Sequence, residues 1–119
     1  MTPFGRRLRE LRAARNILMK DMAAALGVSS AYLSALEHGN RGRPSSGLVQ
    51  QISAYFNLAW DDVDELKRLA QLSHPRVVVD TAGLSPKATE LANRLSETID
   101  ELSEETIDHL LGTIEEGRR

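Results

Sequence analysis

The stretch Met22–Gly39 constrains this chain more tightly than any other part of it. It reads Met22-Ala23-Ala24-Ala25-Leu26-Gly27-Val28-Ser29-Ser30-Ala31-Tyr32-Leu33-Ser34-Ala35-Leu36-Glu37-His38-Gly39. An apolar-periodic run stops at Gly27, the residue type that most easily takes the left-handed conformation closing a helix. Ser29 then offers a hydroxyl to the free N–H groups that open a second helix. The connection is so short that the two helices must turn sharply and pack on each other. Ala23 is small enough to let their axes approach, and Val28, Leu33 and Leu36 fill the angle between them.

The surrounding sequence continues the pattern of short amphipathic helices. A first helix carries Phe4, Leu8, Leu11 and Ile17 as its apolar stripe, with arginines on the other faces. The second runs from about Met19 to Leu26, and the third from after Ser29 to Gly39. Asn40-Arg41-Gly42-Arg43-Pro44 is a polar loop rich in turn residues. Ser45 or Ser46 caps a fourth helix with Leu48, Val49, Ile52 and Phe56 on one side, and Asn57 ends it. A fifth helix, about Trp60 to Leu72, has Asp61 and Asp62 in its first turn and Lys67 and Arg68 later, in accord with the helix dipole. Trp60 and Phe56 are expected to pack between the fourth and fifth helices.

His74-Pro75 breaks the pattern. Val77, Val78 and Val79 form a β-branched run open to two readings: a short strand pairing with its mate in a second chain, or an extended linker. Thr81–Leu84 reads as a turn. Ser85-Pro86 opens a helix whose seam is Ala88, Leu91, Ala92, Leu95, Ile99 and Leu102. Ser103 caps a last helix carrying Ile107, Leu110, Leu111 and Ile114, and Gly117-Arg118-Arg119 is expected to fray. The expected organisation is a helical domain over residues 1–72, a linker over 73–85 and a helical segment over 86–119.

Charge is divided along the chain. The formal net charge of −2 argues by itself against a nucleic-acid partner. Residues 1–60, however, hold eight Lys and Arg against three acids, a balance of +5, and residues 61–119 hold seven against fourteen, −7. A basic front half suits a chain that presents one end to a polyanion. The absence of cysteine removes disulfides, thiolate zinc sites and cysteine nucleophiles, and fits a reducing compartment. The opening residues lack a signal-peptide apolar region, and no apolar run approaches the ~18 residues of a membrane span. A cytoplasmic chain without membrane contact is expected.

Two helices joined by a short glycine-containing turn make the helix-turn-helix geometry, whose second helix enters the DNA major groove. At these residues the chain resembles the Cro/C1-type helix-turn-helix family, also called the xenobiotic-response-element family, over residues 4–72. The basic first helix, the Met22-Ala23-x-x-Leu26-Gly27-Val28-Ser29 turn, the Leu33-Ser34-x-Leu36-Glu37-x-Gly39 helix and the basic loop after it follow in the family's order. The resemblance implies an all-α, five-helix, lambda-repressor-like domain. It also implies a bacterial transcriptional regulator, a repressor acting as a homodimer on a near-palindromic double-stranded DNA operator. Ser30, Ala31, Ser34 and Ala35 match the family's groove-facing positions. Ser29, Tyr32, Arg41, Arg43, Ser45 and Ser46 match or adjoin its backbone-contacting positions. Arg12 and Glu37 match its internal ion pair, a structural role.

Two departures bear on mechanism. Leu18-Met19 stands where the family has threonine or asparagine followed by glutamine, so a cap and a phosphate-contacting amide are missing, and Lys20 is expected to supply charge there instead. The groove-facing residues are also short. They cannot make the bidentate base pairings worth about 1–3 kcal/mol each. The helix is therefore expected to sit close to the bases, with Ala31 and Ala35 against thymine methyls and Ser30 and Ser34 making single hydrogen bonds. Arg41 or Arg43 would read a narrow minor groove.

His38, His74 and His109 lie too far apart in sequence to suggest a metal site, and the late carboxylates read as a solvated face. No metal, cofactor or catalytic constellation is expected. The C-terminal helices are expected to dimerise the chain through Val77, Val78, Val79, Leu91, Leu95, Ile99 and Leu102, the alternative being that their seam packs back on the chain's own domain. The rival reading is an antitoxin of a toxin–antitoxin pair that also binds its own operator, with the acidic C-terminal segment as the site of a protein partner.

Overall fold

The computed structural model describes residues 1–118. Arg119, expected to fray, lies outside the described residues. The only regular structure among the described residues is helical, with no strand, and the chain divides into two compact units, Met1–Val77 and the chain from Val78 onward.

The first unit holds α1 (Pro3–Arg15), α2 (Met19–Leu26), α3 (Ser30–Glu37), α4 (Ser46–Tyr55) and α5 (Trp60–Gln71). Local chemistry sets most of their ends. Thr2 caps α1 by accepting from the Gly5 N–H, with Pro3 at the first helical position. Asn16, left-handed at φ 54°, closes α1. Ile17 therefore lies beyond the helix to which its spacing assigned it, and packs partly buried against the core from the connection to α2. Ser45, not Ser46, caps α4 by accepting from the Leu48 N–H. Asn57 at φ 52° follows its C-terminus.

Phe4, Leu8, Met22, Leu33, Leu36, Ile52 and Leu66 are fully buried in the core shared by the five helices. Full burial of one such side chain contributes about 1.5–3 kcal/mol relative to leaving it in water. Ser73, beyond α5, is also buried. Its hydroxyl accepts from the Phe4 N–H at 3.0 Å and donates to the Leu69 carbonyl at 2.6 Å, tying the start of α1 to the end of α5.

Trp60 does not pack between α4 and α5. It is 77% exposed, whereas Phe56 is buried with the Arg15 guanidinium over its ring. Trp60 opens α5 six residues before the buried Leu66, which sets it about 120° around the helix from the core-facing side.

The second unit holds α6 (Pro86–Thr98), a 3₁₀ turn (Ile99–Glu101) and α7 (Glu104–Gly117). Ser85 and Ser103 cap the two α-helices by accepting from the Ala88 and Thr106 N–H groups. The sequence expectation of one seam running through Leu102 needs correction. α6 ends at Thr98, whose hydroxyl donates to the Arg94 carbonyl, and the 3₁₀ turn leads to Leu102 in extended conformation. α7 continues through Gly117. Val77, Val78 and Val79 form no strand and are 73%, 96% and 64% exposed, as the extended-linker reading has them. No described residue of α6, the 3₁₀ turn or α7 is buried. No helix among the described residues is long and apolar enough to cross a membrane.

Candidate nucleic-acid interface

The turn between α2 and α3 is built from two residues. Gly27 sits at φ 75° and returns its N–H to the Ala23 and Ala24 carbonyls. Ser29 accepts from the Tyr32 N–H at 3.0 Å, opening α3. The start of α2 has no such cap, because Leu18 brings no side-chain acceptor. α3 turns Leu33, Leu36 and Glu37 into the core. Of the four groove-facing candidates, Ser30 and Ala31 are exposed, while Ser34 and Ala35 are half-buried. They are short side chains on a surface of α3 that the core leaves uncovered. His38 closes this surface, its Nδ1 within 2.9 Å of the Ser34 carbonyl.

α3 is held against α1 at both ends of one residue. The Glu37 carboxylate is fully buried and accepts through Oε2 from Arg12 Nη1. Its Oε1 makes no hydrogen bond and has Arg9 Nε at 3.8 Å. The Glu37 carbonyl accepts from the Thr2 N–H at 3.0 Å and from the Thr2 hydroxyl at 3.2 Å. Sequence reasoning named Arg12 and Glu37 but missed Thr2 and Arg9. The Thr2-Pro3 pair was a readable cap signal. Arg9 carried no signal beyond belonging to a row of arginines.

The cations of the basic front half divide into committed and free. Arg7 pairs with Glu10 at 3.3 Å and Glu65 at 3.4 Å, joining α1 to α5. Arg12 is committed to Glu37, and Arg15 donates to the Phe56 carbonyl at 3.5 Å. Arg6, Lys20, Arg41 and Arg43 enter no ion pair among the described residues. Lys20 stands exposed at the second position of α2. The Arg41 guanidinium lies over the Tyr32 ring, 5.9 Å from its centroid, which fastens the loop after α3 to α3 itself. Contacts of this kind at exposed sites contribute about 0.5–1 kcal/mol. Arg43 borders a cavity with Ser46, the first residue of α4. Ser45 Oγ is engaged at the helix cap, accepting from the Leu48 N–H at 3.2 Å.

A sharp two-helix turn thus presents short side chains on α3, and the loop that follows returns Arg41 to α3 through its stack on Tyr32. The sequence profile of the helix-turn-helix domain matches residues 3–69. The chain belongs to the helix-turn-helix domain family. The chain is 36% identical over 63 residues to the HTH-type transcriptional regulator RghRB of Bacillus subtilis, covering 53% of this chain and 45% of the relative. It is 31% identical over 61 residues to the HTH-type transcriptional repressor RghR of the same organism, covering 51% and 45%. To the HTH-type transcriptional regulator DdrOP3 of Deinococcus deserti it is 41% identical over 59 residues, covering 50% and 45%. The chain thus spans just under half the length of these curated relatives. No solved structure matches it.

The residues expected to dimerise the chain lie outside the matched domain. Leu91 and Ile99 are 58% and 57% exposed, and Leu95 and Leu102 are half-buried within the second unit. Among the described residues, no group of three or more His, Asp or Glu side chains is placed to hold a metal ion.

Proposed function

We propose that this chain is a sequence-specific double-stranded DNA-binding transcriptional regulator, a repressor that acts as a homodimer on a near-palindromic operator. The observation that carries the reading is the outer face of α3. It presents the short side chains of Ser30, Ala31, Ser34 and Ala35 beside the Tyr32–Arg41 stack, and Glu37 ties the end of the helix to α1. α3 lies in the major groove with Ser30, Ala31, Ser34 and Ala35 against base edges. Lys20, Ser29, Tyr32, Arg41, Arg43, Ser45 and Ser46 hold the sugar-phosphate chain. Short side chains make few base-specific hydrogen bonds, so DNA shape supplies part of the selectivity. Repression is proposed by analogy with RghR, whose name states it.

The second unit supplies the dimer. Its α-helices have 13 and 14 residues, near the length at which isolated helices are marginal in water, and neither has a buried residue. A second copy covers the apolar side of both. Two copies also place two α3 helices on half-sites about one DNA turn apart. The acid excess of this unit keeps it off the phosphates. The rival antitoxin reading needs a segment that wraps a toxin. The serine caps on α6 and α7 favour an ordered self-pairing unit instead.

Genome-wide mapping of sites bound by the full chain, followed by gel shift of the recovered site against random competitor duplex, tests the proposal. A shared inverted-repeat sequence that outcompetes random duplex is the expected result. Equal affinity for both duplexes at moderate ionic strength overturns sequence-specific regulation. Co-purification of a small toxic protein in place of a dimer overturns the homodimer reading in favour of the antitoxin.

A further inference from the structure

A cavity of about 310 Å³ opens between the loop after α3, the start of α4 and the second half of α5. Its floor is Val49 and Ala70, and its polar rim includes Arg43, Ser46, Gln50 and Lys67. No carboxylate lines it. Two cations from elements far apart in sequence thus border one cleft, and neither enters an ion pair among the described residues. Like charges facing a shared cleft repel each other. An anion between them removes that cost and gains attraction from both.

We infer that Lys67 is a further DNA-backbone-binding residue, gripping with Arg43 a phosphate that enters this cleft. The inference rests on the DNA-binding reading above and extends it onto α5, which is not among the elements assigned contacts there. Lys67 reaches the phosphate as a point charge, and Gln50, exposed on α4, offers an amide donor beside it. Backbone contacts of this kind fix the register of a protein on the duplex without reading its sequence. The phosphate track then runs from Arg41 through Arg43 and Ser46 to Lys67, so α4 and α5 both lie along the strand that flanks α3.

The test uses the full chain and a random-sequence duplex, with affinity measured across a potassium chloride series. Each lost phosphate contact lowers the slope of log K against log salt by about one. Lys67→Gln is expected to flatten the slope by that amount, Lys67→Arg to keep it, and Lys87→Gln, on α6, to leave it at the wild-type value. A wild-type slope for Lys67→Gln overturns the inference, as does equal flattening by Lys87→Gln, which would mark a net-charge effect. Inorganic phosphate titrated without DNA tests for a free anion. Saturable perturbation of Lys67 resonances together with an unchanged Lys67→Gln slope would overturn the DNA assignment in favour of that ligand. If the wild-type chain binds no duplex at all, the DNA-binding reading itself fails, and this inference with it.

Discussion

Gly5 of α1 lies directly against the backbone of Glu37 at the end of α3: a Cβ built on Gly5 would collide with the Glu37 carbonyl oxygen and lie 2.8 Å from its carbonyl carbon. The same carbonyl takes both Thr2 hydrogen bonds, so neither helix can retreat without breaking them. Arg12 stands about two turns further along α1 and takes the Glu37 carboxylate. The proposed reading helix is thus positioned from both ends of a single residue.

Gly5→Ala should therefore destabilise the first unit by about 3 kcal/mol, the upper end of the overpacking range, because backbone rather than a flexible side chain must move. Gly47→Ala is the control. Gly47 is also helical, but open space surrounds its Cβ position, and the change should be neutral or stabilising by up to about 1 kcal/mol. Urea denaturation followed by circular dichroism measures both. A loss below 1 kcal/mol for Gly5→Ala would show that the approach of α1 to α3 is not tight.

The buried ion pair gives a separate test. Arg12→Ala leaves a fully buried carboxylate whose nearest cation is Arg9, itself largely exposed, and should cost about 3–5 kcal/mol. Replacing both partners with methionine removes the stranded charge and should recover most of that loss. If Arg12→Ala and the double replacement denature at the same urea concentration, charge burial does not drive the effect.

These two features mark how far the sequence could be read. The helices were legible because their punctuation is local. Gly27 and Asn57 in left-handed conformations, and the caps at Ser29, Ser85 and Ser103, depend on neighbours a few residues away. The Thr2–Glu37 and Gly5–Glu37 approaches join residues more than thirty positions apart, and nothing local announces them. Trp60 was misplaced because size suggested burial, whereas its angular position on α5 decides exposure. Ile17 was misplaced because its spacing ran on past the left-handed Asn16. The basic front half overstated the cations available to a ligand, since the structure commits Arg7, Arg12 and Arg15 to internal partners. Lys67 was legible only as a dipole-matching charge; its place beside Arg43 needs the fold.

The Arg41 stack predicts a loss of binding that is small and specific. Tyr32→Leu removes the aromatic face and frees Arg41, at a cost of about 0.5–1 kcal/mol, or about two- to five-fold in affinity for duplex DNA. Tyr32→Phe keeps the face and should lose the stack's contribution least. In an Arg41→Ala background, Tyr32→Leu should add little, because the partner is already gone. Fluorescence anisotropy with a labelled duplex reads all four variants. Additive losses for the Tyr32→Leu and Arg41→Ala pair would mean that the ring does not position the arginine.

The second unit makes the last prediction. Leu95 lies in the last turn of α6 on the apolar side, with Leu91 one turn before it and Ile99 just beyond the helix. In the proposed dimer, burying these side chains against a second copy would gain about 25 cal/mol per Å² of apolar surface, and glutamates there would place charge in the contact. Leu91→Glu with Leu95→Glu should convert a dimer into a monomer in sedimentation velocity. Ellipticity at 222 nm should fall as well, because unpaired helices of this length are marginal in water. The first unit should keep its thermal transition, since none of its core residues changes. A wild-type chain that sediments as a monomer throughout a concentration series, with α6 and α7 still helical, would remove the dimer from the proposed function and leave DNA recognition to single domains.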